Sequence, residues 1–320
     1  MFEEIIKKSK ELKEEEFLDL LDEVTSLLKG ESKKKGKLEE KIFQIKENEP
    51  FCEGKVIYLP AKGEAVFVGD LHGDFRSLEK ILLNFSSDFL IFLGDYVDRG
   101  EAQIETLQAS ILTKIKYPKK VYLLRGNHED LRVNYYYGFL AELSRRFPKN
   151  LSKTLRVYED FCNTLPYVLA TKEGLFTCHG GIPHQGINSL LDFNKDNKEM
   201  LEEILWNDPK EEISSFLPNY ERGGYFTFGK EAFLRFLSTL GAKVMVRSHQ
   251  YFSEGYRLFF QDKLLTIFSS RPEGDQPLAE RYGGLVEPCY LKINLKEPIS
   301  RFRKEMIFYP DVKSGQGSPR

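Results

Sequence analysis

Five short polar clusters hold most of the residues in this chain that could do chemistry: Gly69-Asp70-Leu71-His72-Gly73-Asp74, Gly94-Asp95-Tyr96-Val97-Asp98-Arg99-Gly100, Arg125-Gly126-Asn127-His128-Glu129, His179-Gly180-Gly181 and Arg247-Ser248-His249. Asp70, His72, Asp95, Asn127, His179 and His249 offer carboxylate, imidazole and amide donors, with no thiolate among them. Hard and borderline O and N donors suit Mn²⁺, Fe or Zn²⁺ with open coordination positions, and disfavour a closed thiolate zinc site. Six ligands exceed what one catalytic ion needs, whereas two ions about 3.5–4 Å apart, bridged by one carboxylate, would use them all and leave room for water and substrate. Any one Asp or His at such a place could be a turn former or a hydrogen-bonded core residue. That bland account has to hold six times over here.

Two neighbours extend the chemistry. His128 adjoins Asn127, so it lies close to the ions without having to bind them, and Asp98 follows Asp95 by three residues. An imidazolium oriented by a carboxylate can protonate a departing oxygen, which makes Asp98 with His128 a general-acid pair. Such a pair matters when the leaving group is poor, as for the alkoxide of serine or threonine. Arg99 presents a planar fork matched to two phosphate oxygens. Cys178, next to His179, reads as a buried strand residue rather than a catalytic thiol.

The elements that must position these groups are legible from apolar patterning. From Ala65 onward, short apolar runs alternate with helical patterns, the signature of βαβ units and an α/β sheet. The runs Ala65 to Val68, Phe89 to Leu93, Val121 to Leu124, Leu175 to Cys178 and Val244 to Val246 each end in one of the five clusters. Ligands of α/β sheets sit outside the carboxyl ends of the strands, so the five clusters are expected to converge on one sheet edge. Beyond Tyr251 the runs Tyr256 to Phe260, Leu264 to Phe268, Cys289 to Leu295 and Phe302 to Phe308 predict paired strands completing a second sheet layer. The expected fold is therefore α/β: a two-layer β-sandwich core flanked by helices, with a dinuclear metal site at the carboxyl ends of the strands.

The N-terminal fifty residues are rich in Lys and Glu, yet Phe17, Leu20, Leu21, Val24, Leu27 and Leu28 recur at helical spacing. Gly30 and the run Lys33-Lys34-Lys35-Gly36 are expected to end that helix, and Leu38, Ile42 and Ile45 predict a second short one before Asn48-Glu49-Pro50. Packing on the following domain is the simpler role for these helices, a partner-binding or regulatory arm the other. The expected division is a charged helical segment over 1–48, a catalytic domain over 49–310 and a disordered tail over 311–320.

Composition bounds the rest. The chain has 320 residues, 41% of them hydrophobic with 25 Phe and 16 Tyr, enough apolar surface for a large core. Its 47 basic and 49 acidic residues nearly cancel, so no global field recruits nucleic acid or an anionic membrane, and an anionic ligand must be held by local charge. Four cysteines without C-x-x-C spacing, an N-terminus too charged for a signal peptide and no long apolar run predict unpaired thiols in the cytoplasm. Four of only five histidines fall in the clusters; the fifth, His184, is expected to face solvent in a loop.

The clusters GDLHGD, GDYVDRG, RGNHE, HGG and RSHQ, in this order, together with LWNDP from Leu205 to Pro209, RGGYFTFG from Arg222 to Gly229 and IFSS from Ile267 to Ser270, resemble the calcineurin-like metallophosphoesterase superfamily and, within it, the PPP family of protein serine/threonine phosphatases. The resemblance spans approximately residues 45 to 275 and looks like a prokaryotic or archaeal member. It implies Asp70, His72 and Asp95 as ligands of one metal and Asp95, Asn127, His179 and His249 as ligands of the other. It also implies Arg99 and Arg222 as phosphate clamps assisted by Asn127, and His128 as general acid supported by Asp98, with Arg247 in a supporting role. Arg222 enters the expected site only through the resemblance. The implied activity is hydrolysis of phosphoserine and phosphothreonine in proteins by direct attack of a metal-bridging hydroxide, with two divalent ions, foremost Mn²⁺, and with Fe or Zn as alternatives.

The chain departs from the eukaryotic pattern after IFSS, reading Ser269-Ser270-Arg271-Pro272-Glu273-Gly274-Asp275 where a tyrosine-bearing loop is usual. Arg271 and Tyr282 are the candidates to replace that tyrosine. The expected partners are phosphoprotein substrates and a regulatory partner at the N-terminal helices, with neither nucleic acid nor membrane. The competing activities are a nucleotide phosphohydrolase of the symmetric dinucleoside tetraphosphatase type, disfavoured by LWNDP and RGGYFTFG, and a binding scaffold on an inactive phosphatase fold, disfavoured by the complete set of ligands, acid and arginines.

Overall fold

The computed structural model describes residues 2–33, 36–271 and 287–310. The helices are α1 (Glu3–Glu11), α2 (Glu14–Ser32), α3 (Phe75–Asn84), α4 (Gln103–Lys116), α5 (Leu131–Tyr137), α6 (Phe139–Arg146), α7 (Leu151–Thr164), α8 (Lys198–Trp206) and α9 (Lys230–Leu240). The strands are β1 (Phe51–Glu53), β2 (Val56–Leu59), β3 (Glu64–Val68), β4 (Phe89–Phe92), β5 (Val121–Leu123), β6 (Val168–Thr171), β7 (Leu175–Cys178), β8 (Asp208–Pro209), β9 (Phe216–Asn219), β10 (Tyr225–Phe228), β11 (Val244–Arg247), β12 (Tyr256–Phe259), β13 (Leu264–Ile267), β14 (Tyr290–Asn294) and β15 (Ile307–Phe308).

Two large sheets face each other. One runs β1-β2-β6-β7-β11-β13-β12 and the other β15-β14-β3-β4-β5. Strand alternation explains the packing: Ala65, Phe67, Phe89 and Ile91 meet Leu175, Val244, Val246 and Leu265 in the cluster between the sheets. The intervening Val66, Val68, Leu90 and Phe92 face outward into a second cluster with the helices, while Phe176 and Met245 face a third on the opposite side. Both faces of the central strands are thus covered, which is why they read as unbroken apolar runs rather than alternating ones. The expected sandwich of two sheets flanked by helices is what the structure has.

Several details differ from expectation. The late strands do not all complete one layer: β12 and β13 extend the sheet of β7 and β11, whereas β14 pairs with β3 and carries β15 on its other edge. The five clusters accordingly meet across two sheets, not on one sheet edge, because β3, β4 and β5 belong to one sheet and β7 and β11 to the other. A single parallel bridge between Asp70 and Phe268 ties the two sheets together at their carboxyl ends. Of the run Phe302 to Phe308, only Ile307–Phe308 is strand. The short strands β1, β2 and β6 lacked a pattern strong enough to separate them from loop.

At the N-terminus the helical run continues through Gly30 to Ser32, so that glycine does not end it. The stretch with Leu38, Ile42 and Ile45 is largely extended with one 3₁₀ turn, Ile42–Gln44. All three side chains are nevertheless buried with Tyr58 and Phe176, so tertiary burial rather than helical periodicity accounts for their spacing. Phe2, Ile5, Phe17, Leu21 and Val24 share one core with Leu90, Phe92 and Leu107, which places α1 and α2 in the outer helical layer of the five-stranded sheet. Lys34 and Lys35, the tail over 311–320, Pro272 to Asp275 and Tyr282 lie outside the described residues.

Candidate active site

Each cluster begins where a buried strand stops, and the backbone there turns sharply. His72, Asp95, Asp98, Arg99 and His249 adopt the left-handed region, with φ of 44°, 57°, 68°, 72° and 73°. Side chains other than Gly pay roughly 1–2 kcal/mol for that conformation, and strain of this kind gathers where side-chain direction matters more than local stability. Gly94 makes one such turn possible: at φ 102°, a Cβ on it would lie 2.3 Å from the Gly126 nitrogen, so the loops carrying Asp95 and Asn127 touch backbone to backbone.

The turns bring all six expected ligands together, and each is nearly or fully buried. His72 donates Nδ1–H to Val97 O at 2.9 Å, which leaves the Nε2 lone pair 3.5 Å from both Asp70 Oδ2 and Asp95 Oδ2. His179 donates Nδ1–H to Leu93 O at 2.9 Å, leaving Nε2 2.8 Å from Asn127 Oδ1 and 3.3 Å from Asp95 Oδ1. His249 brings Nδ1 to 2.8 Å from the same Asn127 oxygen and 3.3 Å from His179 Nε2. A second ring nitrogen tied to a backbone carbonyl is how proteins fix the orientation of a metal-binding histidine.

These distances test whether cations fit. Acceptor atoms of Asp95, Asn127, His179 and His249 converge on one another, an arrangement that is repulsive unless positive charge lies among them. Donors around an ion with bonds of about 2.0–2.2 Å stand roughly 3.0–3.5 Å apart, close to the 2.8 to 3.5 Å found here. Asp70 Oδ2 and His72 Nε2, which face each other across the first group of donors, are buried without a hydrogen-bond partner. Burial alone would push His179 down, but the carboxylates of Asp95 and Asp70 overcome it and hold its pKa up at about 9, a measure of how strongly this cluster draws positive charge. Asp95 offers one oxygen to each group of donors, so the residues could hold two ions sharing that carboxylate. His128 also comes within 4.8 Å of the His72 and Asp95 donor atoms. Its two ring nitrogens are engaged elsewhere.

His128 Nδ1–H donates to Asp98 Oδ2 at 2.6 Å, and Arg99 Nη2 donates to His128 Nε2 at 3.1 Å. Asp98 is gripped further by the Phe139 N–H on Oδ1 at 3.0 Å. Burial raises the Asp98 carboxyl to about 6, and burial together with the Arg99 charge holds His128 well below the usual histidine range. The His128–Asp98 pair can move a proton at Nε2 only where the Arg99 guanidinium is not bound to that nitrogen.

A small sheet of order β8-β10-β9 builds the opposite wall. Asn207 ties it down by donating from Nδ2 to Ile182 O at 2.8 Å and accepting from Phe226 N at 2.8 Å. Asp208 accepts from Arg222 Nε on Oδ2 at 3.0 Å and from Arg247 Nη2 on Oδ1 at 2.9 Å. LWNDP and RGGYFTFG therefore act together: they place Arg222, whose charge is felt at His128 and His249. Arg247 is fully buried, with Nη1 on Gln250 Oε1 at 2.7 Å and Nη2 on Asp208. Arg271 donates its backbone N–H to Asp74 Oδ2 at 2.6 Å.

Sequence reasoning overlooked several groups. Glu129, quoted in its cluster without a role, is fully buried and accepts from the backbone nitrogens of Asp95, Tyr96 and Gly126 at 2.8, 3.0 and 2.7 Å, locking two ligand loops together. Ser248 donates to Asp70 Oδ1 and accepts from Asp70 N at 2.8 Å. Ser248 adjoins His249 and Glu129 stands two residues after Asn127, and that proximity in sequence is the available signal. His184 does not simply face solvent: it is 29% exposed, hydrogen-bonded through Nδ1 to Glu203 Oε1 at 2.5 Å and stacked on Phe226. Cys178 is buried and its thiol is pushed up to about 12, as befits an inert core residue.

A family model described as calcineurin-like phosphoesterase matches residues 65–251. Over 229 residues the chain is 37% identical to a probable serine/threonine-protein phosphatase of Encephalitozoon cuniculi; the match takes in 68% of this chain and 49% of that protein, so the chain spans about half the length of the curated relative. Among solved structures, a protein serine/threonine phosphatase from Saccharomyces cerevisiae with similarity to human phosphatase PP5 superposes with a TM-score of 0.73 at 21% identity, over 94% of this chain and 93% of that one. A cold-active protein-tyrosine phosphatase of a psychrophilic Shewanella superposes with a TM-score of 0.51 at 16% identity, over 82% and 81% of the two chains. Both structures share the fold.

Proposed function

The chain belongs to the calcineurin-like phosphoesterase family, and from that premise we propose that it is a metal-dependent phosphatase acting on phosphoserine and phosphothreonine in proteins. The observation that carries this reading is the His128–Asp98 pair beside the ligand cluster, at 2.6 Å and fully buried. An alkoxide leaving group needs a proton as its bond breaks, and a buried imidazole oriented by a carboxylate supplies one. The similarity to the Encephalitozoon relative, a probable serine/threonine-protein phosphatase, points the same way.

In this reading Asp70, His72 and Asp95 hold one divalent ion, and Asp95, Asn127, His179 and His249 hold the other. The O and N donor set favours Mn²⁺, with Fe and Zn²⁺ as alternatives. When bound, such ions supply Lewis acidity toward the phosphoryl oxygens and the attacking water. The chain's own groups do the rest. Asn127 turns Oδ1 into the cluster and keeps its amide N–H for a phosphate oxygen. Arg222 keeps Nε on Asp208 and offers its remaining N–H groups to the phosphate, which stabilises charge building on the equatorial oxygens. Arg99 leaves His128 Nε2 for the phosphate, which frees that nitrogen to take up a proton from water and hand it to the departing serine or threonine oxygen.

The phosphoprotein is thus the substrate partner, and the outward charged faces of α1 and α2 are where a regulatory partner would dock. No described helix is long and apolar enough to cross a membrane. The four cysteines are free and buried, which suits the cytoplasm. Turnover of a phosphothreonine peptide and of diadenosine tetraphosphate by the Mn²⁺-loaded protein tests the reading. The peptide should be hydrolysed; activity on the nucleotide alone would overturn it.

A further inference from the structure

Asn134 lies inside α5, a helix interior where asparagine is a poor choice for helix formation. Its side chain is fully buried. The amide uses both hydrogens on one structure: Nδ2 donates to Asp98 Oδ2 at 2.8 Å and to the His128 backbone oxygen at 2.7 Å. The orientation of the amide follows from these partners, because the reverse would set Oδ1 against a carboxylate oxygen and a carbonyl oxygen. Oδ1 is left buried without a hydrogen-bond partner. A packing residue would not leave an acceptor unsatisfied there, since a leucine would fill the space without that loss.

We propose that Asn134 is a positioning residue that holds the His128–Asp98 pair in the geometry acid catalysis requires. Asp98 Oδ2 receives His128 Nδ1–H and the Asn134 amide together, while Oδ1 receives the Phe139 N–H, so the carboxylate plane is fixed from three sides. The second Asn134 hydrogen fixes the backbone of His128 itself. Ring and carboxylate are therefore tied to one amide, and neither can rotate away from the other without breaking a buried bond. Asn134 touches neither the expected metal ligands' donor atoms nor, in the proposed mechanism, the substrate. It acts through His128.

The inference rests on the reading of His128 as general acid, and its test separates the two. Asn134→Leu should lower kcat for a phosphoserine peptide about ten- to a hundredfold, and that for an aryl phosphate less than about threefold, because an aryl oxide leaves with little help from an acid. KM and bound-metal content should stay near the wild-type values. In an Asp98→Asn background the same substitution should add less than about threefold, since residues acting as a unit are not additive. Asn134→Ala removes both donors without adding bulk or charge, and must give the same split should Asn134→Leu fail to fold. Equal losses on both substrates, or full additivity in the cycle, would overturn the inference while His128→Asn still discriminated between leaving groups. If His128→Asn itself failed to discriminate, the acid reading would fall and this inference with it.

Discussion

The two arginines expected to clamp phosphate are both half-buried, but what stands behind them differs, and the contrast divides the site into a preset wall and a more open one. Arg99 sits on a left-handed turn, its N–H bound to Tyr137 O at 3.0 Å and its guanidinium against the Tyr137 ring at 5.3 Å. Behind it stand Asp98, His128, Glu129 and Asn134, all within 1% exposure. Arg222 instead ends a single 3₁₀ turn, Tyr220–Arg222, at the tip of the β9–β10 hairpin; its side chain is 27% exposed beside an 85% exposed Tyr220. Preorganised dipoles in a water-excluded place are worth more to a transition state than the same groups in solvent. In the proposed mechanism the proton chemistry falls to the buried wall, and the more exposed wall is left to meet the rest of the substrate.

Substitutions on both walls can break or sharpen that comparison. The largest effect is expected for His128→Asn, with a loss of about 10²- to 10⁴-fold in kcat on phosphoserine peptides and a much smaller one on aryl phosphates. Steady-state kinetics on both substrates checks this, and equal losses would move the proton chemistry elsewhere. Asp208→Ala comes next. It strips the fully buried Arg247 of its carboxylate and should cost about 3–5 kcal/mol of stability, read as a fall of at least about 5 °C in Tm. An unchanged Tm would mean that the open wall does not depend on that buried pair. Arg99→Ala should lower kcat/KM about 10²- to 10³-fold. Arg222→Ala, on the exposed wall, should cost only about tenfold, because water screens and partly replaces its contact. A larger loss at Arg222 than at Arg99 would reverse the division.

Much of the buried wall was legible beforehand, and the reason is physical. Strands covered on both faces read as unbroken apolar runs, and the loops after them need glycines such as Gly94 and Gly126 where two backbones meet. The positions of Asp70, His72, Asp95, Asn127, His179 and His249 follow from that punctuation. What the alternation of runs and clusters did not carry was which sheet each strand joins, because β12 through β15 have the same local pattern whether they pair with β11 or with β3. Nor does any residue type announce a left-handed φ at His72, Arg99 or His249. Glu129 and Asn134 were hidden for a different reason: their work is to hydrogen-bond backbone and side chains of other loops, and only the folded chain brings those together. Arg222 on the open wall had no local signal and came from the resemblance alone.

Two ions sharing Asp95 are the centre of the proposed mechanism, and metal content per chain measures them directly. After chelation and reconstitution with Mn²⁺, the wild-type protein should bind about two ions per chain and regain phosphatase activity, whereas Asp95→Asn, which weakens both groups of donors at once, should retain less than about one. A wild-type content of one ion or none, or two ions kept by Asp95→Asn, would contradict it.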